Sequence, residues 1–137
     1  MRAVFADTFY WVALTNPGDS RFEDARALDN VLAGTIIFTT DEILTEFMTF
    51  FSADPWQRSR AVATVRSLLS DPEVRVVPQS RESFLAGLSL FDARPDKGYS
   101  LTDCISMQAM RKEGINEALT NDRHFEQEGF RALFRDA

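Results

Sequence analysis

The segment Ala3-Val4-Phe5-Ala6 is a short apolar run that is followed at once by Asp7, a pattern typical of a buried strand that ends at the surface. Three later segments have similar length and character, and we predict that each of them is also a strand. They are Ile36-Ile37-Phe38-Thr39, Val74-Arg75-Val76-Val77 and Glu117-Ala118-Leu119-Thr120.

The intervals between these strands show helical periodicity, with apolar residues three or four positions apart. We predict six helices, at residues 8–14, 20–32, 41–51, 56–69, 81–91 and 102–111. Strands that alternate with helices of this length indicate a parallel sheet covered by helices on both faces. The 137 residues contain no internal repeat and no linker, so we expect a single α/β domain over residues 1–137.

The composition excludes several classes of protein and of site. Hydrophobic residues make up 45% and charged residues 26% of the chain, which is typical of a globular protein and not of a disordered one. One Cys and one His exclude a disulfide framework and zinc sites built from thiolates or paired imidazoles, so we expect any bound metal to have oxygen ligands. No apolar run reaches the roughly 18 residues of a membrane span, and we expect a cytoplasmic protein without a membrane partner.

Two aspartates follow predicted strands, at the place where active groups gather in open parallel sheets. Asp7 comes directly after the first strand, and Asp122 follows the fourth with only Asn121 between them. Each aspartate also stands where it can cap the helix or turn that follows. From the residues alone, both interpretations stay open.

Two further acids belong to predicted helices. Glu46 lies at the edge of an apolar helix face, where an unpaired carboxylate would be costly, although a solvent-facing side chain is the alternative. Glu42 has a sufficient local role, because it fits a capping box that begins at Thr39. Asp103 also fits a capping box, and a right-handed crossover would bring its helix near the strand ends. The apolar face consists of Ile43, Leu44, Phe47, Phe50 and Phe51.

Four stretches around these acids occur in a distinctive order along nearly the whole chain. They are VFADTFYW at 4–11, TDEILTE at 40–46, SLTDC at 100–104 and ALTNDRHF at 118–125. These stretches resemble the PIN-domain ribonuclease family, and in particular the small VapC-type toxins of bacterial toxin-antitoxin modules. Gly129-Phe130 resembles the closing strand of that family, whereas Ala6 replaces the more aliphatic residue of many relatives.

The resemblance implies a PIN-like three-layer α/β/α sandwich with a mostly parallel central sheet of four to five strands. It implies that Asp7, Glu46, Asp103 and Asp122 form an acidic quartet that holds Mg²⁺ or Mn²⁺ for the hydrolysis of RNA phosphodiester bonds. It also implies a toxin function, a cognate antitoxin as partner and a homodimer. The chemistry is consistent, because hard divalent cations prefer oxygen ligands and Mg²⁺ uses few carboxylates.

The net charge of −6 argues against a protein that binds nucleic acid by bulk electrostatics. An acidic protein can act on RNA if cations bridge carboxylate to phosphate and positive side chains supply other contacts. Candidate contacts are Arg94 and Arg123, with a solvated surface charge as the alternative for each, and the resemblance adds Thr120 and Asn121. His124 could contact RNA, but a lone His near a helix start is more often a cap or surface residue.

Two other functions remain as alternatives. A Mg²⁺-binding phospho-acceptor signalling domain would carry an acidic pair at the end of its first strand, whereas Ala6 precedes a lone Asp7. A non-catalytic PIN-like binding domain meets no such objection, and an activity assay would separate it from an enzyme. A homodimer is also favoured by the large apolar residues Phe47, Phe50, Phe51 and Trp56.

Overall fold

All four predicted strands are present in the computed structural model of the protein, which describes residues 2–136, and a fifth strand joins them. The strands are β1 (Ala3–Ala6), β2 (Ile36–Thr40), β3 (Val74–Val77), β4 (Glu117–Leu119) and β5 (Arg131–Ala132). All pairings are parallel, and the order across the sheet is β3-β2-β1-β4-β5. The predicted α/β class with a parallel central sheet is therefore confirmed.

Helices fill the connections between the strands, and the six predicted ones end within two residues of their predicted bounds. The α-helices of residues 2–136 are α1 (Thr8–Thr15), α2 (Phe22–Val31), α3 (Asp41–Phe50), α4 (Pro55–Ser70), α5 (Arg81–Ala93), α6 (Leu101–Glu113) and α7 (Arg123–Gln127). The five-residue α7 was not predicted, and a 3₁₀ turn follows β5 at Leu133–Arg135.

The helices form two packed groups around the sheet, as the three-layer prediction requires. In one group α1 contacts α2 and α3, and α3 contacts α4, while α5 packs along α6 in the other. Gly87 permits this second contact, because a Cβ at that position would clash with the side chain of Ile105. In the central strand β1, Val4, Phe5 and Ala6 are all buried, as expected for a strand covered on both faces.

Two local predictions are wrong. The cap of α3 is Thr40, whose hydroxyl accepts a hydrogen bond from the Ile43 N–H, so Glu42 does not close a capping box. Thr39 is instead buried in the sheet, where its hydroxyl donates to the Ala6 carbonyl. The closing strand begins at Arg131 and not at Gly129-Phe130, because Gly129 has a φ of 94° and turns the chain after α7.

Within residues 2–136, no helix combines the length and the apolar composition that crossing a bilayer demands.

Candidate active site

The predicted site residues meet at the carboxyl ends of β1 and β4. Strand β2 pairs with β1 on one side and β4 pairs with it on the other. The segments that follow β1 and β4 therefore diverge, and a crevice lies between them. Asp7 follows β1 at this point, and its N–H donates to the Leu119 carbonyl at 3.3 Å. The Thr120 hydroxyl, directly after β4, donates to Asp7 Oδ2 at 2.8 Å. The parallel pairing of β1 and β4 therefore brings residues 113 positions apart into contact.

Three of the four acids accept a backbone hydrogen bond at the start of a helix beside the crevice. Asp7 Oδ1 accepts from the Thr8 N–H at 2.9 Å at the start of α1, and Asp122 Oδ1 accepts from the His124 N–H at 2.9 Å at the start of α7. Asp103 forms the predicted capping box with Ser100 at the start of α6. Capping and a shared site are thus compatible, because each cap holds a carboxylate at a helix N-terminus facing the same crevice.

Glu46 reaches the site from the second turn of α3. Its side chain is exposed, and its Oε1 accepts a hydrogen bond from the Thr8 hydroxyl at 2.6 Å. This contact brings the Glu46 carboxylate to the start of α1, next to Asp7. Glu46 therefore neither points freely to solvent nor lies within the core.

The four acids share one electrostatic environment. Burial, with the negative charges of Asp103 and Glu46, raises the pKa of Asp7 to about 7, although hydrogen bonds from Thr120 and Thr8 oppose the shift. Burial and the charge of Asp122 also raise the pKa of Asp103, against hydrogen bonds from Ser100. Each acid thus influences at least one other, and the cluster resists carrying its full negative charge.

His124 belongs to the same cluster, although its sequence context indicated a cap or a surface residue. Its Nδ1 lies 3.3 Å from Asp122 Oδ1 and 3.7 Å from Asp103 Oδ2. One ligand atom from each of these three residues fits within 4.8 Å of the others, so the three could hold a metal ion together. The sequence could have indicated this position. His124 follows Asp122 by two residues, and a residue two positions after a helix-capping Asp lies in the first turn, beside the cap.

Arg94 and Arg123, the two candidate RNA contacts, have different surroundings. The Nε of Arg94 donates to Glu128 Oε1 at 2.6 Å, and Arg111 pairs with the other oxygen of this carboxylate. Burial alone would raise the pKa of Glu128, but the hydrogen bonds from both arginines hold it below its usual value. Arg123 is exposed and directly follows Asp122.

Proteins of known function resemble this chain over almost its entire length. No family model matches it. The 23S rRNA-specific endonuclease VapC20 of Mycobacterium tuberculosis is 30% identical over 128 residues, which are 93% of this chain and 95% of that protein. The crystal structure of VapC20, described as a sarcin-ricin loop cleaving toxin, has a TM-score of 0.80 at 29% identity, with 93% of this chain and 95% of that chain covered.

A second solved structure supports the fold alone. VapBC2 from Rickettsia felis, bound to a DNA fragment from its promoter, has a TM-score of 0.68 at 14% identity and covers 95% of this chain and 96% of that chain. Three observations support the same family assignment: the strand order, the acids at the strand ends and the identity to VapC20. The chain belongs to the VapC-type toxins of the PIN-domain ribonuclease family.

Proposed function

We propose that the protein is a divalent-metal-dependent endoribonuclease and the toxin of a toxin-antitoxin pair. The observation that carries this proposal is the convergence of four carboxylates from separate elements on one crevice, in a chain of the VapC family. Asp7, Glu46, Asp103 and Asp122 are the proposed catalytic residues and metal ligands. The proposed reaction is the hydrolysis of phosphodiester bonds in RNA.

Mg²⁺ or Mn²⁺ is the proposed cofactor, and the donor set fits such an ion. Burial and mutual repulsion favour the protonated forms of Asp7 and Asp103, and a cation between them would favour the charged forms. When bound, a divalent cation supplies positive charge at the phosphate and makes water a stronger nucleophile near neutral pH.

The protein itself orients the acids before any substrate arrives. Thr8 and Thr120 hold the two oxygens of Asp7, and the backbone of Ser100 holds Asp103. The N-termini of α1 and α6 place positive helix ends at the crevice, which partly offsets the carboxylate charge and favours an anionic phosphate. Glu46 is the most exposed member and is held by the hydroxyl of Thr8.

We further propose that Arg123 and Asn121 contact RNA beside the acids, because both lie at the end of β4 next to Asp122. Thr120 is proposed to act through Asp7, to which its hydroxyl donates. Arg94 remains a weaker candidate, since Glu128 engages its Nε.

The proposed protein partners are an antitoxin and a second copy of this chain. The antitoxin is proposed because the chain belongs to the VapC-type toxins of toxin-antitoxin modules, and the proposed site of action is the cytoplasm. The proposed dimer surface contains Phe50 and Trp56, whose residues are 61% and 66% exposed. The apolar face predicted for α3 is thus only partly covered, since Phe50 is exposed, whereas Phe47 lies in the core and is not available to a dimer surface.

The test is an RNA cleavage assay with purified protein and mapping of the new ends. Because VapC20 is named for 23S rRNA, intact ribosomes and naked 23S rRNA are the first substrates, each with Mg²⁺, Mn²⁺ or EDTA. We expect cleavage only with a divalent ion and its loss in Asp7→Asn and Asp103→Asn, while far-ultraviolet circular dichroism stays unchanged. Undiminished cleavage by both variants in EDTA would reject the mechanism, and RNA binding without cleavage would favour the non-catalytic alternative.

A further inference from the structure

The imidazole of His124 has an unusual position at the acidic cluster. Its Nδ1 is shielded from solvent and, within the part of the chain that the structure describes, has no hydrogen-bond partner. Two carboxylate oxygens, from Asp122 and Asp103, lie only 3.3 and 3.7 Å from this nitrogen. A buried Nδ1 that faces two anionic oxygens is either the N–H of a charged imidazolium or a lone pair that shares a cation with those oxygens.

Packing against an aromatic ring also holds the imidazole. The Tyr99 ring lies 5.3 Å from the His124 ring, centroid to centroid. The Tyr99 hydroxyl donates to Glu128 Oε1 at 3.2 Å, and the Glu128 side chain, 5% exposed, is held by Arg94 and Arg111. This network accounts for the position of the ring, but it gives Nδ1 no partner.

We propose that His124 Nδ1 supplies a nitrogen ligand beside Asp103 and Asp122, so that the site binds Mn²⁺ in preference to Mg²⁺. This inference rests on the proposed function, because it concerns the ligand set of the same metal site. It replaces the expectation from composition that all protein ligands are oxygens.

The spacing of the three ligand atoms suits a shared ion. Ligands about 2.1 Å from an octahedral ion lie about 3 Å apart in adjacent positions. The separations of 3.3 and 3.7 Å from Nδ1 are close to this value, so small side-chain adjustments suffice. The neutral imidazole would carry its proton on Nε2 and direct the lone pair of Nδ1 toward the ion.

The nitrogen also explains the expected choice of ion. Mg²⁺ demands nearly ideal octahedral geometry and strongly prefers oxygen, and it gives up water reluctantly. First-row transition ions accept imidazole nitrogen more readily, and their affinity for mixed nitrogen and oxygen sites rises from Mn²⁺ onward. Removing the imidazole should therefore weaken Mn²⁺ binding more than Mg²⁺ binding.

The test uses the fact that the chain contains one His, so that ¹⁵N-histidine labels this ring alone. Untagged protein loaded with Mn²⁺ is examined by pulsed electron paramagnetic resonance, with and without the label. We expect a histidine nitrogen coupling that changes with the isotope and disappears in His124→Ala. Mn²⁺ titration and Mg²⁺ competition should show about tenfold weaker Mn²⁺ binding in this variant and little change for Mg²⁺. Gln127→Ala, an exposed position on the same helix, is the matched control.

Mn²⁺ bound to the wild type without nitrogen coupling would overturn the inference, as would equal losses for both ions in His124→Ala. In either case, loss of Mn²⁺ binding in Asp103→Asn would show that the ion does bind at the acids. The proposed function would then stand, and only the histidine ligand would be rejected. If the wild type binds neither ion, the proposed function and the inference both fail. Should His124→Ala not fold, the coupling measured on the wild type still decides.

Discussion

Replacing Asp7 with Asn should stabilise the metal-free protein at pH 8. Burial and neighbouring charges raise the pKa of Asp7 from 3.8 to about 7 in the folded state. Between these two values the folded protein binds more protons than the unfolded chain, so the free energy of unfolding falls as the pH rises. Above pH 7 the ionised carboxylate costs at most about 4 kcal/mol, because each tenfold change in proton affinity is equivalent to about 1.36 kcal/mol.

The Asn side chain keeps most of the local hydrogen bonds. Its Oδ1 can accept from the Thr8 N–H, as Asp7 Oδ1 does at 2.9 Å, and Asn caps a helix about as well as Asp. The Thr120 hydroxyl donates to Asp7 Oδ2 in the wild type, but it can rotate and accept from the Asn amide. We therefore expect a net gain of about 1 to 3 kcal/mol at pH 8 and a rise in Tm of several degrees.

The assay is thermal and urea unfolding, followed by circular dichroism in EDTA at pH 5.5, 7 and 8.5. The difference between Asp7→Asn and the wild type should grow with pH across this series. Asp54→Asn is the matched control for the change from carboxylate to amide, because Asp54 caps α4 at an exposed site away from the acids. An Asp7→Asn variant that is less stable at pH 8.5, or a difference that is constant with pH, would refute the reasoning.

Three further results are expected. Glu46→Gln should reduce single-turnover RNA cleavage at least tenfold, whereas Glu42→Gln should cleave nearly as fast as the wild type. The reverse ranking would show that Glu42, and not Glu46, is the metal ligand from α3. Mn²⁺ at a hundredfold excess over its Kd should stabilise the wild type by about 2.7 kcal/mol in unfolding experiments and stabilise Asp103→Asn less; equal shifts would place the ion elsewhere. Phe50→Ser combined with Trp56→Ser should convert a dimer to a monomer in light scattering at micromolar concentration, and a monomeric wild type would remove the proposed dimer.

Local sequence patterns were sufficient for the order of the first four strands and of α1 to α6, whereas α7 and β5 are too short to show a clear period. The run Val4-Phe5-Ala6 is apolar on both faces, as expected for a strand covered by helices on both sides, and the helix periods are equally local. The acids at strand ends and helix starts were identifiable for the same reason, since Asp7, Asp103 and Asp122 each have a role within their own turn.

Tertiary structure decided which of these groups meet. The hydroxyl of Thr120 reaches Asp7 because β4 pairs beside β1, and His124 meets Asp103 because α7 begins beside α6. The pairing of Arg94 with Glu128 joins residues 34 positions apart, and the sequence around neither residue predicts it. Propensity and periodicity act over one or two turns, whereas these contacts depend on strand order and helix packing, which only the assembled core determines.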